Sequence, residues 1–264
     1  MLKWLVVVTL IVKSCAFRKQ FNAEEARNFH WEDLQFVNET ETSSDGSQRR
    51  RLKTTNPNDH KVDKLPGLTV DSKLVHYAGH ITVDESKNGN LFYWLFEAPQ
   101  NAKDLPLLIW LNGGPGCSSM DGLWLELGPL RLDNNNKGVK INPFSWHNVA
   151  NLLFIDQPVG TGLSYTTSRD GYCKNDEEIN RHFYKFLQSF FELHSRYVTT
   201  DNKTKLKSSR SFFMSGESHA GHYIPSMSAY ILNKNKEIMA AKEPSNDVFI
   251  TLTGIALGEG VSIL

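Results

Sequence analysis

Hydrophobic residues gather in short uninterrupted runs, and polar or glycine-rich turns separate them. Three runs stand out, at residues 105–111, 211–214 and 248–255. Apolar runs of this length are typical of strands buried on both faces. Residues 176–197 have apolar positions at helical spacing instead, which predicts a helix with a core-facing stripe formed by Ile179, Phe183, Phe186, Leu187 and Phe190. The pattern therefore predicts buried strands packed against an amphipathic helix.

The turn after the second run carries a candidate nucleophile. Residues 216–221 read Gly-Glu-Ser-His-Ala-Gly, a Gly-x-Ser-x-Gly elbow in which Ala220 replaces the second glycine. Gly216 permits a sharp turn, which holds Ser218 at a strand-to-helix corner. There the positive end of the helix and the amide of His219 favour negative charge near the serine oxygen. An ordinary tight turn is the alternative interpretation of this short motif.

A second glycine-rich turn follows the first run. Residues 112–119 read Asn-Gly-Gly-Pro-Gly-Cys-Ser-Ser. Glycines let the main chain approach a ligand closely, so the amide of Gly114 can join that of His219 in a two-donor oxyanion hole. A plain turn explains the bend, but it does not explain why two such turns each follow an apolar strand.

Together these motifs resemble the serine carboxypeptidases, α/β-hydrolases that remove C-terminal residues from peptides at acidic pH. The resemblance extends from about residue 65 to residue 258. It rests on residues 110–119, 126–129, 142–146, 156–165 and the elbow. It implies an α/β-hydrolase fold, with a central mostly parallel sheet flanked by helices.

The resemblance also implies roles for individual residues. Ser218 is expected to be the nucleophile, and the amides of Gly114 and His219 are expected to bind the oxyanion. The substrate's terminal carboxylate is expected to meet a hydrogen-bonded group formed by Asn112, Glu217 and Glu126, with Trp110 and Gly113 beside it.

Two acids beside a carboxylate ligand would repel it if both were ionised. Burial and mutual repulsion are expected to raise the pKa of Glu126 and of Glu217, so that the protonated forms donate hydrogen bonds. Substrate binding is then strongest in acid. The alternative is that Glu217 is a helix-start acid favoured by the dipole and that Glu126 lies on a solvated face.

A serine nucleophile needs a histidine base and an orienting carboxylate. After Ser218 the chain has only His219, His222 and Asp247 as candidates. Both histidines lie within one turn of the nucleophile, and Asp247 precedes a predicted strand rather than following it, whereas catalytic groups follow strands in such sheets. None of the three is therefore expected to complete the catalytic group.

The resemblance implies an aspartate and a histidine further downstream, so the chain is interpreted as C-terminally truncated, whether as a fragment, an alternative transcript or an erroneous gene model. We expect such a chain to be marginally stable or prone to aggregation. Two rival functions stay open: a non-catalytic secreted protein that binds peptide C-termini, and an esterase or acyltransferase of the same fold.

The N-terminal part indicates the compartment. Residues 1–16 have the pattern of a secretory signal peptide, and residues 17–64 form a polar propeptide or disordered linker. The hydrolase portion is assigned to residues 65–264. Sequons at Asn38 and Asn202 fit the secretory pathway, and the resemblance points to a lysosomal, vacuolar or extracellular location, with no stable membrane anchor.

The composition limits the classes of molecule that the protein is expected to bind. Lys plus Arg and Asp plus Glu both number 29, so no net field attracts nucleic acid or an anionic membrane. No His or Cys cluster has metal-ligand spacing, and we expect no metal and no cofactor. The resemblance implies peptide or protein C-termini as substrate. It also implies a partner for Cys117 beyond residue 264, while a Cys117–Cys173 disulfide is the alternative.

Overall fold

A six-stranded sheet forms the centre of the molecule. The computed structural model describes residues 56–68, 74–132, 138–202, 204–243 and 245–260. In spatial order the strands are β1 (His76–Asp84), β2 (Gly89–Phe96), β6 (Asn151–Asp156), β3 (Leu107–Leu111), β9 (Phe212–Glu217) and β10 (Leu252–Gly258). The first three strands pair antiparallel, and the pairs β6–β3, β3–β9 and β9–β10 are parallel. The half of the sheet from β6 to β10 is thus a parallel α/β sheet.

Two α-helices pack near the sheet, α1 (Asp176–Leu193) and α2 (Ala220–Ala240). The Asn175 side chain caps α1 by accepting a hydrogen bond from the Glu178 amide, and acidic residues in the first turn complement the helix dipole. Two hairpins complete the strands: β4 (Leu130–Leu132) with β5 (Val139–Ile141), and β7 (Val198–Asp201) with β8 (Lys205–Ser208).

Hydrophobic cores lie on both faces of the sheet because side chains alternate along its strands. In β2, Tyr93 belongs to the cluster that includes the apolar faces of α1 and α2, whereas Phe92 and Phe96 belong to the cluster on the other face. Tyr93 meets the rings of Phe186 and Phe190 edge-on, at centroid distances of 5.8 and 5.6 Å. Burial on both faces explains why the strands read as uninterrupted apolar runs.

The structure confirms two of the three predicted strands. Strand β3 lies within residues 105–111, and β9 extends the second run to Glu217. The third prediction is wrong at its start, because β10 begins at Leu252. Val248 and Ile250 are buried, but side-chain amides satisfy their backbone groups instead of a strand: Gln188 accepts from the Val248 amide and Asn235 bonds both backbone groups of Ile250.

The predicted helix is also confirmed, although α1 ends at Leu193 and residues 195–197 form a separate 3-10 turn. The predicted stripe faces the core: its three phenylalanines and Leu187 are buried, and Ile179 packs against them as a partly buried side chain. The stripe is therefore a packing surface, as its spacing indicates.

Residues just before the predicted boundary at residue 65 also contact the sheet. Pro57–His60 form a 3-10 turn, and Lys61 pairs with Tyr77 of β1. The His60 Nδ1 atom lies 2.8 Å from the Tyr93 hydroxyl. Residues 57–62 thus pack against β1 and β2, and the division of the chain at residue 65 stays a prediction. The predicted signal peptide and Asn38 lie outside the described residues.

The outer strand β10 exposes apolar side chains at the edge of the described sheet. Ile255 is 45% exposed and Leu257 is 41% exposed. An apolar edge of this kind favours association with other chains, and the expected tendency to aggregate stays a prediction. Within the described ranges, neither helix combines the length and the apolar character that a membrane crossing requires.

The aromatic core between β2 and α1 should carry much of the stability. Phe190 is completely buried, and we expect Phe190→Ala to lower the free energy of unfolding by about 3–5 kcal/mol through lost burial and a residual cavity. Urea unfolding followed by circular dichroism measures this change. Leu232→Ala, at a position 48% exposed on α2, is the matched control, with an expected change within about 0.5 kcal/mol. Equal losses in the two variants would contradict the assignment.

Candidate active site

The two glycine-rich turns meet because their strands are neighbours. Strands β3 and β9 run parallel, with Leu111 opposite Gly216, so the residues that follow them emerge at the same edge of the sheet. A Cβ atom at Gly216 would collide with the Leu111 carbonyl and lie 2.7 Å from the Ala220 Cβ. The absence of a side chain at Gly216 is therefore what allows strand, turn and helix to pack this closely.

Ser218 occupies the elbow between β9 and α2. Its φ is +53°, in the left-handed region that residues with side chains seldom adopt. Its amide donates to the Gly258 carbonyl at 3.2 Å, and its own carbonyl accepts from the Gly221 amide at 2.9 Å. These bonds hold the strained backbone and leave Ser218 exposed at the N-terminal end of α2.

The first glycine-rich turn lies directly against the elbow. A Cβ at Gly113 would stand 2.5 Å from the His219 nitrogen and 2.9 Å from the Ser218 Cβ, so only glycine permits this contact. Gly114 also needs its residue type, since its φ is +109°. Among the described residues, no acceptor takes a hydrogen bond from the amide of Gly114 or of His219. Both predicted oxyanion donors are thus free, beside the serine.

Asn112 connects the other predicted residues. Its side-chain nitrogen donates to Glu126 Oε1 at 2.9 Å and to Glu217 Oε1 at 3.1 Å. Its side-chain oxygen accepts from Trp110 Nε1 and from the Gly122 amide, both at 3.0 Å. Two donors on one side and two acceptors on the other fix the orientation of the amide. The structure therefore brings Asn112, Glu126, Glu217 and Trp110 together in one cluster, in which Asn112 and Trp110 are buried, Glu217 is half-buried and Glu126 is exposed.

A π-helical turn, Gly122–Glu126, delivers Glu126 to Asn112. Gly122 lies so close to the Trp110 indole that a Cβ there would overlap it. Partial burial raises the pKa of Glu126, opposed by the Asn112 hydrogen bond and reinforced by Glu217 and Asp121. Glu126 consequently keeps its proton to a higher pH than a solvated glutamate. Glu217 is the last residue of β9, which rules out its interpretation as the first acid of a helix.

Sequence reasoning missed the carboxylate that holds the first turn in place. Asp156 ends β6 and is completely buried. Its Oδ1 accepts from the Ser118 hydroxyl at 2.7 Å and the Ser119 amide at 2.9 Å, and its Oδ2 accepts from the Leu163 amide at 2.9 Å. Burial outweighs these donors and raises the pKa of Asp156 to about 6. An acid directly after an apolar run was the available signal.

The histidines near Ser218 have other contacts. His222 Nε2 lies 2.9 Å from Asp176 Oδ2, and the His219 ring meets the Tyr223 ring edge-on at 4.8 Å. Burial lowers the pKa of His219, and the neighbouring His222 lowers it further. Asp247 lies ahead of β10 rather than after a strand. Within the described part of the chain, no histidine hydrogen-bonds the Ser218 hydroxyl, so a general base is not seen.

The two cysteines outside the predicted signal peptide are not joined. Cys117 is buried and Cys173 is partly buried, and the two do not form a disulfide with each other. The Cys173 Sγ atom lies 3.2 Å from His182 Nδ1. The alternative of a Cys117–Cys173 disulfide is therefore not the arrangement in this structure. Asn202, the second predicted glycosylation position, is exposed in the turn between β7 and β8.

Comparison with known proteins agrees with this geometry. Residues 66–262 match the family described as serine carboxypeptidase. The chain is 49% identical over 211 residues to serine carboxypeptidase S10 family member 2 of Dictyostelium discoideum, covering 77% of this chain and 34% of that protein. It is 40% identical over 218 residues to the pheromone-processing carboxypeptidase KEX1 of Phytophthora infestans, covering 83% of this chain and 35% of that protein.

The crystal structure of Kex1(delta)p, a prohormone-processing carboxypeptidase from Saccharomyces cerevisiae, is similar with a TM-score of 0.65 and 34% identity, covering 78% of this chain and 44% of that one. The chain belongs to the serine carboxypeptidase family and has the α/β-hydrolase fold of that family. It spans about a third of the length of the two curated relatives.

The raised pKa of Asp156 predicts a pH-dependent contribution to stability. The folded-state pKa is about 6 and an unfolded aspartate has a pKa of about 3.9, so the folded state holds its proton more tightly. The contribution is present below pH about 4 and is lost as the pH rises through 6, a difference of about 3 kcal/mol. Buried neutral His76 and His194 have lowered pKa values and act in the opposite direction.

A comparison with Asp156→Asn isolates this contribution from the histidines. Urea unfolding of the two proteins at pH 4 and pH 7 gives the cost of the substitution at each pH. We expect the cost to be larger at pH 4 by about 2 kcal/mol, because only the natural chain gains from the buried proton and an unfolded aspartate is itself close to half protonated at that pH. A cost that is equal at both values, or larger at pH 7, would show that Asp156 stays ionised when folded.

Proposed function

We propose that the protein is a serine carboxypeptidase that removes C-terminal residues from peptides through an acyl-enzyme at Ser218. The observation that carries the proposal is the Asn112 amide, which bonds both Glu126 and Glu217 beside the elbow. Such a cluster suits a free terminal carboxylate. The esterase and acyltransferase alternatives have no comparable use for it, since an ester substrate does not require a free carboxylate.

In this proposal the cluster positions the substrate. A protonated Glu126 donates its O–H to the terminal carboxylate, and Asn112 orients Glu126 by donating to its other oxygen. The scissile carbonyl then lies over Ser218, with its oxygen directed towards the amides of Gly114 and His219. These amides are fixed before the substrate arrives, so they stabilise the oxyanion without reorganisation.

The chemistry then follows the serine acyl-transfer scheme. The Ser218 oxygen bonds to the carbonyl carbon while its proton passes to a base, and the base returns that proton to the leaving amine. The C–N bond breaks, the C-terminal amino acid leaves, and an ester to Ser218 remains. Water hydrolyses the ester, which regenerates the serine. In this proposal Ser218 is the nucleophile, the amides of Gly114 and His219 are the oxyanion donors, and Glu126 recognises the carboxylate. Among the described residues, no base contacts Ser218.

That last observation supports a second candidate. A chain with the carboxylate-binding cluster but no base would bind peptide C-termini without cleaving them. This candidate is a binding protein rather than an enzyme. It shares with the first candidate the recognition of the peptide's terminal carboxylate, but not the acyl transfer to Ser218. The two candidates therefore differ only in whether Ser218 is activated.

We also place the protein in the secretory pathway, with a lysosomal, vacuolar or extracellular destination. The pattern of residues 1–16 and the sequons at Asn38 and Asn202 support this proposal. Acidic compartments suit a recognition group that works when Glu126 is protonated.

Binding should require a free terminal carboxylate and should weaken as the pH rises. A fluorescent peptide with a free C-terminus is expected to bind about tenfold more tightly than its amidated form in acid, through charge-assisted hydrogen bonds. As the pH rises through the raised pKa of Glu126, its O–H donor is lost and affinity falls. Fluorescence anisotropy across a pH series that begins below the ordinary glutamate pKa of about 4.3 and ends above neutrality measures both effects.

Glu126→Gln provides the test of mechanism. Its amide oxygen can accept from Asn112 and its NH2 group donates at any pH, so the decline in affinity should flatten. Glu177→Gln, on the exposed start of α1, is the matched control and should keep the natural pH profile. A Glu126→Gln variant with the unaltered profile would refute the role of Glu126, and equal binding of the amidated peptide would refute carboxylate recognition altogether.

A fluorophosphonate separates the two candidate functions. If the protein is a serine carboxypeptidase with an activated Ser218, intact mass measured at mildly acidic pH will show one adduct on the natural chain and none on Ser218→Ala. Circular dichroism confirms that both samples are folded. A folded chain that stays unlabelled yet binds the free-acid peptide would establish the binding protein and exclude hydrolysis.

A further inference from the structure

A cleft lies at the end of the sheet opposite Ser218. It encloses about 410 Å³ and is lined by Glu97, Ala102, Lys103, Arg196, Ser209 and Arg210. Arg210 comes two residues before β9, whereas Ser218 follows the last residue of the strand. The strand separates the two positions by about 20 Å, given its rise per residue. The cleft is therefore not part of the candidate active site.

The β7–β8 hairpin brings two arginines to this cleft. Arg196 belongs to the 3-10 turn that precedes β7, and Arg210 follows β8. The Ser209 amide donates to the Tyr197 carbonyl at 2.9 Å, which ties the two ends of the hairpin together. The two arginines thus reach the cleft from adjacent chain segments.

Arg196 is held in place before any ligand arrives. Its Nη2 lies 2.7 Å from Glu97 Oε1, and its Nη1 donates to the Tyr77 hydroxyl at 3.0 Å. The guanidinium also lies over the Tyr77 ring, 4.5 Å from the centroid. Its side chain stays 33% exposed, so part of this rigid donor remains open to the cleft.

Positive charge is in excess among the lining residues. Glu97 is the one carboxylate that lines the cleft, and Arg196 already neutralises it. Arg210 stacks over the Tyr197 ring at 4.1 Å, and neither Arg210 nor Lys103 has an ion-pair partner in the portion of the chain that the structure describes. Arg210 and Lys103 therefore leave two uncompensated positive charges at a concave surface.

We propose that this cleft binds a phosphate or sulfate group carried on a small, sugar-sized ligand. Guanidinium forks match the oxygen geometry of these anions, and Lys103 adds a mobile point charge. The Ser209 hydroxyl offers a neutral donor. The volume falls in the range of small-molecule sites and exceeds what a bare anion fills, so we expect the organic part of the ligand to contribute to binding.

Isothermal titration calorimetry on the full chain tests the proposal at constant ionic strength. The probes are inorganic phosphate, inorganic sulfate and glucose 6-phosphate, with glucose as the uncharged comparison. We expect saturable binding of glucose 6-phosphate, weaker binding of the free anions, and none of glucose. Free phosphate that binds as tightly as glucose 6-phosphate would overturn the assignment of an organic ligand. Absence of saturable heat with all the anions would overturn the site.

Charge-removing variants locate the site. Lys103→Gln with Arg210→Gln should weaken glucose 6-phosphate binding about tenfold or more, equivalent to about 1.4 kcal/mol. The matched control, Arg181→Gln with Lys185→Gln, removes the same two charges from exposed positions on α1 and should bind as the natural chain does. An equal loss in the two double variants would show non-specific attraction and refute the site.

Arg210 packs on Tyr197, so the double variant is checked for folding by circular dichroism. Lys103→Gln alone, at an exposed loop position, keeps the test decisive if the double variant unfolds. We expect this single variant to weaken binding by a few-fold, in line with the loss of one partly screened charge. Unchanged affinity in folded Lys103→Gln would remove Lys103 from the site and refute the proposal.

Discussion

The candidate site depends on one buried carboxylate, Asp156. Its hydrogen bonds join the turn after β3 to the loop after β6. Asp156 holds Ser119 through the Ser119 backbone amide. The Ser119 hydroxyl then accepts a hydrogen bond from the backbone amide of Asn112 and donates one to the Ile155 carbonyl. Removal of the carboxylate would leave buried donors without acceptors, and each orphaned donor costs about 1–3 kcal/mol. The position of Asn112, and with it the carboxylate-binding cluster, therefore follows from a residue that touches no substrate in the proposed mechanism.

Strand register and glycine supply the second constraint. Leu111 lies opposite Gly216, so the two turns leave adjacent strands at the same level and meet without a linking segment. Because Gly113 has no side chain, the elbow packs directly against its backbone. The absence of a side chain at Gly216 likewise lets the start of α2 pack close to β9. The strained backbone conformation of Ser218 is tolerated because backbone hydrogen bonds to Gly258 and Gly221 hold it in place. Pre-organisation here is a property of the main chain, which is why short glycine motifs are so informative.

The sequence predicts the features that arise from local patterns, but not those that depend on contacts between distant residues. The elbow, the glycine-rich turn and the stripe of α1 are local patterns, and the structure has all three. The start of β10 was misjudged because Asn235 and Gln188, distant in sequence, satisfy the backbone near Val248. The contact of His60 with Tyr93 is equally distant in sequence, and no local pattern predicts it. Asp156 begins one of the motifs that carry the resemblance, but no role was predicted for it, because its importance lies in contacts made across the sheet.

The balanced total charge conceals a separation of charge along β9. Acids gather beyond its carboxyl end, where Glu126 and Glu217 share Asn112, while Arg196 and Arg210 lie near its amino end. Acidification acts on these two ends differently: it protonates Glu126, whose pKa is raised, but leaves guanidinium groups charged. In acid the carboxyl end therefore carries less negative charge, whereas the positive charge of the amino end does not change. Zero net charge excludes a field over the whole surface, but it says nothing about such local fields, which only the fold reveals.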